Sequence, residues 1–304
     1  MKNITKNILL LTTILVLIYN NSKAQGCSDA GLCTVSNFKP TTTDSLKSYK
    51  SELVIGSFWG KADHSIKSYG SLIEFSHQLS NQMGFNIKIS SITQSGNGLK
   101  KFGLSDLFLN ANYKTSASSK LTIGVKIPFS SANKMVDGYA LPMDYQSSLG
   151  TIDVLAGFAF RANLFQFVIA AQQPITQNNN HFLAVNTPNA QLRSFQSTNK
   201  FQRSGDLLFR ASYPLAVNAR FTVTPSILPI YHLKNDSYTD EMNLKKEING
   251  SKGLTLNSNL YLDYKMDGKS AVQLSLAMPL VVRDARPDGL TRKLVANFQY
   301  SIKF

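Results

Sequence analysis

Residues 293–304 read KLVANFQYSIKF. They place Leu294, Ala296, Phe298, Tyr300, Ile302 and Phe304 on one side of an extended chain and Lys293, Asn297, Gln299, Ser301 and Lys303 on the other, with Val295 the apolar exception. Successive strand side chains point to opposite faces, so this is a strand with one apolar and one polar side. A run of about ten residues is also what a tilted strand needs to cross a bilayer. A soluble antiparallel strand with one wet face reads the same way. Repetition decides between them.

The pattern recurs in runs at 52–60, 67–79, 84–93, 103–113, 120–129, 150–160, 164–174, 204–213, 220–232, 253–264 and 270–281, before the closing run 293–304. The connections sort into two kinds. Tight ones fall near Asn81, at 115–119, at 161–163, at 214–218 and at Asp267-Gly268, a hairpin signal. Longer ones fall at 94–102, 130–146, 175–202, 233–251 and 283–289. Short turns at one end and long loops at the other are the asymmetry of membrane barrels, and a soluble sandwich has no reason to sort its loops so. The sequence therefore predicts an all-β fold: a transmembrane antiparallel up-and-down β-barrel of about 12 strands, with both termini on the periplasmic side.

The first 24 residues predict a signal peptide. Lys2 and Lys6 form a basic start, Ile8 to Tyr19 are mostly apolar, and Ser22-Lys23-Ala24 is a small-x-small cleavage site. Lipid attachment at Cys27 is disfavoured, because no Leu stands three residues before it. Residues 25–50 are polar, lack strand periodicity and predict a periplasmic segment able to plug the barrel formed by 51–304. The two cysteines, Cys27 and Cys33, predict a small disulfide in the exported context. The formal charge is +14. Export removes nucleic acid as the partner for that charge, and the basic residues are scattered rather than clustered.

Parity within the runs assigns the lumen-lining candidates. Lys88, Lys126, Arg161 and Arg210 point inward, toward Glu52, Glu74, Asp106, Asp153, Asp206 and Asp263. Opposed charges inside a barrel pair across strands or create a field that orients a polar solute. Three descending runs, GLSDLFLNANY, GTIDVLAGFAF and SGDLLFRASY, carry Asp106, Asp153 and Asp206 near their start and end in Tyr113, Phe160 and Tyr213. Tyr264 and Phe304 close the next descending runs in the same way, predicting an aromatic row at the membrane interface. Pro128, Pro174, Pro229 and Pro279 sit near the far ends of the returning runs, where a residue without a backbone donor marks a bulge or the end of pairing.

The G-x-x-D strand starts, the VKIP and AMPL returns and the terminal Phe resemble the exported barrels of the phenol-degradation MetA pathway, relatives of the FadL-like fatty-acid transporters, over residues 103–304. The GCSDAGLC start and the Lys-Ala-Gln cleavage site are similar to exported proteins of Bacteroidetes-type Gram-negative bacteria. The chain departs from the fatty-acid transporters in lacking their Asn-Pro-Ala plug motif, which counts against fatty acids as substrate. The resemblance implies an outer-membrane, porin-like channel for passive uptake of small hydrophobic or aromatic molecules. Its partners would be outer-membrane lipid and lipopolysaccharide, the barrel-assembly machinery and a small hydrophobic ligand. The alternative is a structural or adhesin-type barrel with a filled lumen. No enzyme is expected: His64, His77, His181 and His232 lie in no hydrolase motif, and neither a G-x-S-x-G nor a metal-binding pattern is present. No cofactor is expected either.

Overall fold

The computed structural model of the chain describes residues 35–40, 49–289 and 293–304. The signal peptide and the Cys27–Cys33 disulfide expected from the sequence lie outside the described residues. The wall strands are β1 (Ser51–Lys61), β2 (Lys67–Gln78), β3 (Met83–Gly96), β4 (Leu99–Lys114), β5 (Ser119–Pro128), β6 (Asp153–Ala162), β7 (Phe165–Pro174), β8 (Asp206–Ser212), β9 (Phe221–His232), β10 (Gly253–Lys265), β11 (Ser270–Val281) and β12 (Leu294–Lys303). Each pairs antiparallel with its sequence neighbours, and β1 pairs with β12 from Glu52↔Lys303 to Lys61↔Leu294. The sheet thus closes on itself and leaves no edge. The two-residue strand Leu215–Ala216 continues the wall beside β9.

The alternation read from the sequence is the alternation of the wall. Ile55, Ile73, Ile123, Ile169, Ile227 and Phe298 are each at least half exposed on the outside. Soluble proteins rarely expose a contiguous apolar surface of this kind, whereas lipid covers it at no cost. Among the described residues no helix is long and apolar enough to cross a membrane.

Two local readings change. The expected loop at 94–102 is a two-residue turn, and β3 and β4 run through most of it, paired to Gly96↔Leu99. Asn97 and Gly98 both have positive φ, 50° and 74°, the requirement of a tight hairpin turn whose twist matches its strands. The strands expected to begin at 150 and 204 begin instead at Asp153 and Asp206. The residues before each aspartate belong to loops that fold over the mouth. Pro229 faces Leu256 and Pro279 faces Asn257, with a register shift between Leu256 and Asn257, so both prolines sit at one irregular level of the wall.

The expected aromatic row occupies the strand ends on the side where β1 begins and β12 finishes. Tyr113, Tyr264 and Phe304 are exposed, while Phe160 and Tyr213 are half-buried. Phe160 stacks on Phe167 at 5.1 Å between ring centroids, and Tyr213 meets Phe165 at 4.9 Å.

Candidate functional site: the filled lumen and its inner cavity

The inner face of the wall is polar, yet the space it encloses is occupied. Val35–Pro40 lies inside the barrel. Phe38 is fully buried in a cluster with Phe108, Leu155, Val168, Leu208 and Leu228, all inward residues of wall strands. The wall makes room for it at Gly157, where an added Cβ would stand 2.4 Å from the Phe38 ring. The backbone of the segment is also held: Arg210 Nη1 donates to the Phe38 carbonyl at 2.5 Å, and Lys120 Nζ donates to Asn37 Oδ1 at 3.1 Å. No alternating pattern marks residues 35–40. The one signal was an aromatic residue, Phe38, isolated in a polar stretch.

The long loops close the opposite end. Leu141, Tyr145, Phe182, Leu192 and Phe195 form a second buried cluster with Ala62 and Ile66 of the β1–β2 turn. Hydrogen bonds within the cap hold it together. Tyr145 donates to the Gly96 carbonyl at 2.9 Å, and Asn180 Nδ2 donates to the Ala132 and Leu141 carbonyls at 2.6 and 3.0 Å. Lys134, half-buried in the same loop, donates to the Phe102 carbonyl at 2.9 Å. Burial and the nearby Lys101 pull its pKa down to about 8.

The three repeated aspartates sit where wall and cap meet. Asp106 accepts from Ser148 of the 129–152 loop at 2.6 Å. Asp153 pairs with Lys126 across the β5–β6 ladder at 3.0 Å, both fully buried, and accepts from Thr151 at 2.6 Å and from Gln172. Asp206 pairs with Arg203 of the 175–205 loop and meets His232 Nδ1 at 2.7 Å. His232 Nε2 contacts Asp236 at 2.8 Å, and Asp288 contacts Arg283 at 3.2 Å and Arg203 at 3.8 Å. Burial works against the Arg203 charge, but Asp206, Asp288, Asp153 and Asp236 outweigh it and leave its pKa raised. Burial likewise pushes the Asp288 carboxyl up, and Arg283 and Arg203 reverse this, leaving its pKa lowered. Sequence parity found the aspartates. It could not find Arg203, Asp236 or Asp288, which are distant loop residues brought together only by folding.

Of the expected lumen residues, Lys88, Lys126, Asp106, Asp153 and Asp206 are packed away from open space. Lys88 lies over the Phe108 ring, 5.5 Å from its centroid. Asn110 donates to Asn86 at 3.0 Å and Asn86 to Glu74, forming a polar chain across three strands. Arg161 and Arg210 border a cavity of about 380 Å³ at the end of the barrel where β1 begins and β12 finishes. Asn37, Lys39, Lys114 and Lys120 also line it.

Comparison with known proteins adds little beyond architecture. No protein-family model matches the chain, and no curated protein matches it significantly. Among solved structures, the NanC porin shares 10% identity at a TM-score of 0.46, covering 83% of this chain and 98% of its own. The translocator domain of the autotransporter NalP from Neisseria meningitidis shares 7% at 0.44, covering 85% and 90%. The Ralstonia pickettii toluene transporter TbuX shares 7% at 0.41, with the same coverage. A porin, an autotransporter domain and a toluene transporter are matched about equally, so these likenesses do not choose a function.

Proposed function

We propose that the chain is an outer-membrane channel that passes small hydrophobic or aromatic molecules, and that it is closed at rest by pieces that are separable from its wall. The observation that carries this reading is the seat of Phe38. A benzyl side chain, delivered by a segment outside the wall, fills an apolar site in an otherwise polar lumen. Withdrawal of Val35–Pro40 would expose Phe108, Leu155, Val168 and Leu228 as a surface matched to a small apolar solute. The resemblance to the MetA-pathway barrels supports the same substrate class and the same membrane. Export through a signal peptide, contact with lipopolysaccharide and insertion by the barrel-assembly machinery belong to this reading, which assigns no catalysis.

The test is reconstitution into vesicles with a small aromatic solute such as toluene or phenol. Uptake should exceed that of protein-free vesicles, and deletion of residues 25–40 should raise it. A structural or adhesin-type barrel draws on the same filled lumen. No uptake by either form, with the barrel folded, would favour that second reading.

A further inference from the structure

We infer that the cavity at the end of the barrel where β1 begins is a binding site for an oxyanion, a carboxylate or phosphate carried by a small solute. Five cationic side chains border it: Lys39 from the lumenal segment, Lys114, Lys120, Arg161 and Arg210 from β4, β5, β6 and β8. Among the described residues no carboxylate lines it. Lys114 and Lys120 stand directly opposite each other in the β4–β5 ladder. Like charges in that arrangement repel and destabilise a sheet. An anion between them reverses the sign of the interaction. A neutral donor is also at hand: Asn37 Nδ2 is buried at the cavity without a hydrogen-bond partner, so an acceptor entering the cavity can satisfy it.

The cavity is not uniformly polar. Pro40 and Val168 form part of its wall, and its volume is in the range of small-molecule sites. An organic acid with a compact apolar body therefore fits better than a bare ion. Naming such an acid as the transported solute rests on the transport reading above. The binding site itself does not.

The experiment is isothermal titration calorimetry on the detergent-solubilised full chain with benzoate, inorganic phosphate and, as a neutral control, benzamide. Benzoate or phosphate should bind, more weakly at high salt because the attraction is screened, and benzamide should not. Binding of benzoate alone identifies an organic-acid site, and binding of phosphate alone identifies a phosphate or headgroup site. Both outcomes support the shared chemistry. Lys114→Ala, at an exposed strand end, should lower the affinity by about tenfold, the worth of one charge-assisted contact. Lys120→Gln, which keeps a donor for Asn37, should do the same while heat-modifiable gel mobility shows the barrel intact. Binding by neither anion, or benzamide binding as tightly as benzoate, would overturn the inference. The calorimetry needs no flux, so its failure and the failure of the transport reading are separate results.

Discussion

Phe38→Ala is the substitution that bears most directly on closure. The ring is fully buried among Phe108, Leu155, Val168, Leu208 and Leu228. Truncating a buried Phe to Ala costs about 3–5 kcal/mol in a close-packed core. Polar residues and the inner cavity lie close by, so water can enter the vacated space, and the low end, about 3 kcal/mol, is the better figure. Only the seated segment bears this cost, because Val35–Pro40 takes no part in the strand ladder. At about 1.4 kcal/mol per factor of ten, the unseated population should rise by roughly a hundredfold.

Hydrogen exchange reads this directly. The Phe38 amide donates to the Val35 carbonyl at 2.9 Å and the Lys39 amide to the Ser36 carbonyl at 3.1 Å. Their protection should fall by the same factor while wall amides keep theirs. Gly157→Val attacks the contact from the wall, since its Cβ would meet the Phe38 ring at 2.4 Å. Combined with Phe38→Ala, the valine fills the space the ring has left, so the double variant should be less damaging than the sum of the singles. Unchanged protection at residues 35–40 in Phe38→Ala would refute the reasoning. So would an equal loss across the wall, which would make the segment part of one cooperative core and not a separable closure.

Lys126→Met should destabilise the barrel to urea by about 3–5 kcal/mol, because Asp153 is left buried without its cation, and adding Asp153→Asn should recover most of the loss. The pKa of Asp288 is lowered in the folded chain. Its contribution is therefore fully present above the ordinary carboxylate value and is lost as pH falls through the depressed one. Protection factors in the 282–289 segment, which correct for the slower intrinsic exchange at low pH, should fall on acidification, and Asp288→Asn should remove that fall. Deleting Phe304 removes the last backbone pair of the seam, in which Ser51 and Phe304 exchange hydrogen bonds of 3.0 Å. Assembly into the membrane should drop before any change in flux, and normal insertion of the truncated chain would show that the terminal residue is dispensable.

The wall was legible because a strand in lipid obeys a rule with period two, and each outward Ile or Phe repeats it. The rule says nothing about what fills the interior. Asn97-Gly98 was readable as a hairpin, but the surrounding Gly, Asn and Lys residues masked it as a loop. Asp106, Asp153 and Asp206 were found as inward residues, while their partners Ser148, Thr151 and Arg203 lie in loops with no periodicity to locate them. Phe38 was hidden most completely. Its meaning depends on Gly157, more than a hundred residues away, and a lone aromatic in a polar stretch does not announce a partner.

The barrel interior is thus closed twice, by different physics. At the loop end, Asp106, Asp153 and Asp206 hold the cap through ion pairs and charge-assisted hydrogen bonds to Arg203, Ser148 and Thr151. Such contacts weaken as carboxylates take up protons, and an apolar solute does not compete for them. At the other end the closure is an aromatic ring in an apolar seat, which acid leaves intact and an apolar solute of similar shape can displace. A solute arriving from the loop side therefore meets the cap first, with its ion pairs and its apolar cluster of Leu141, Phe182 and Phe195, and the aromatic seat second. If uptake of an aromatic solute rises in the wild type only as pH falls below the ordinary carboxylate range, where Asp288 takes up its proton, the cap limits it. If uptake is flat with pH and rises only in Phe38→Ala, the segment does, and the aspartates serve to hold the loops rather than to gate the path.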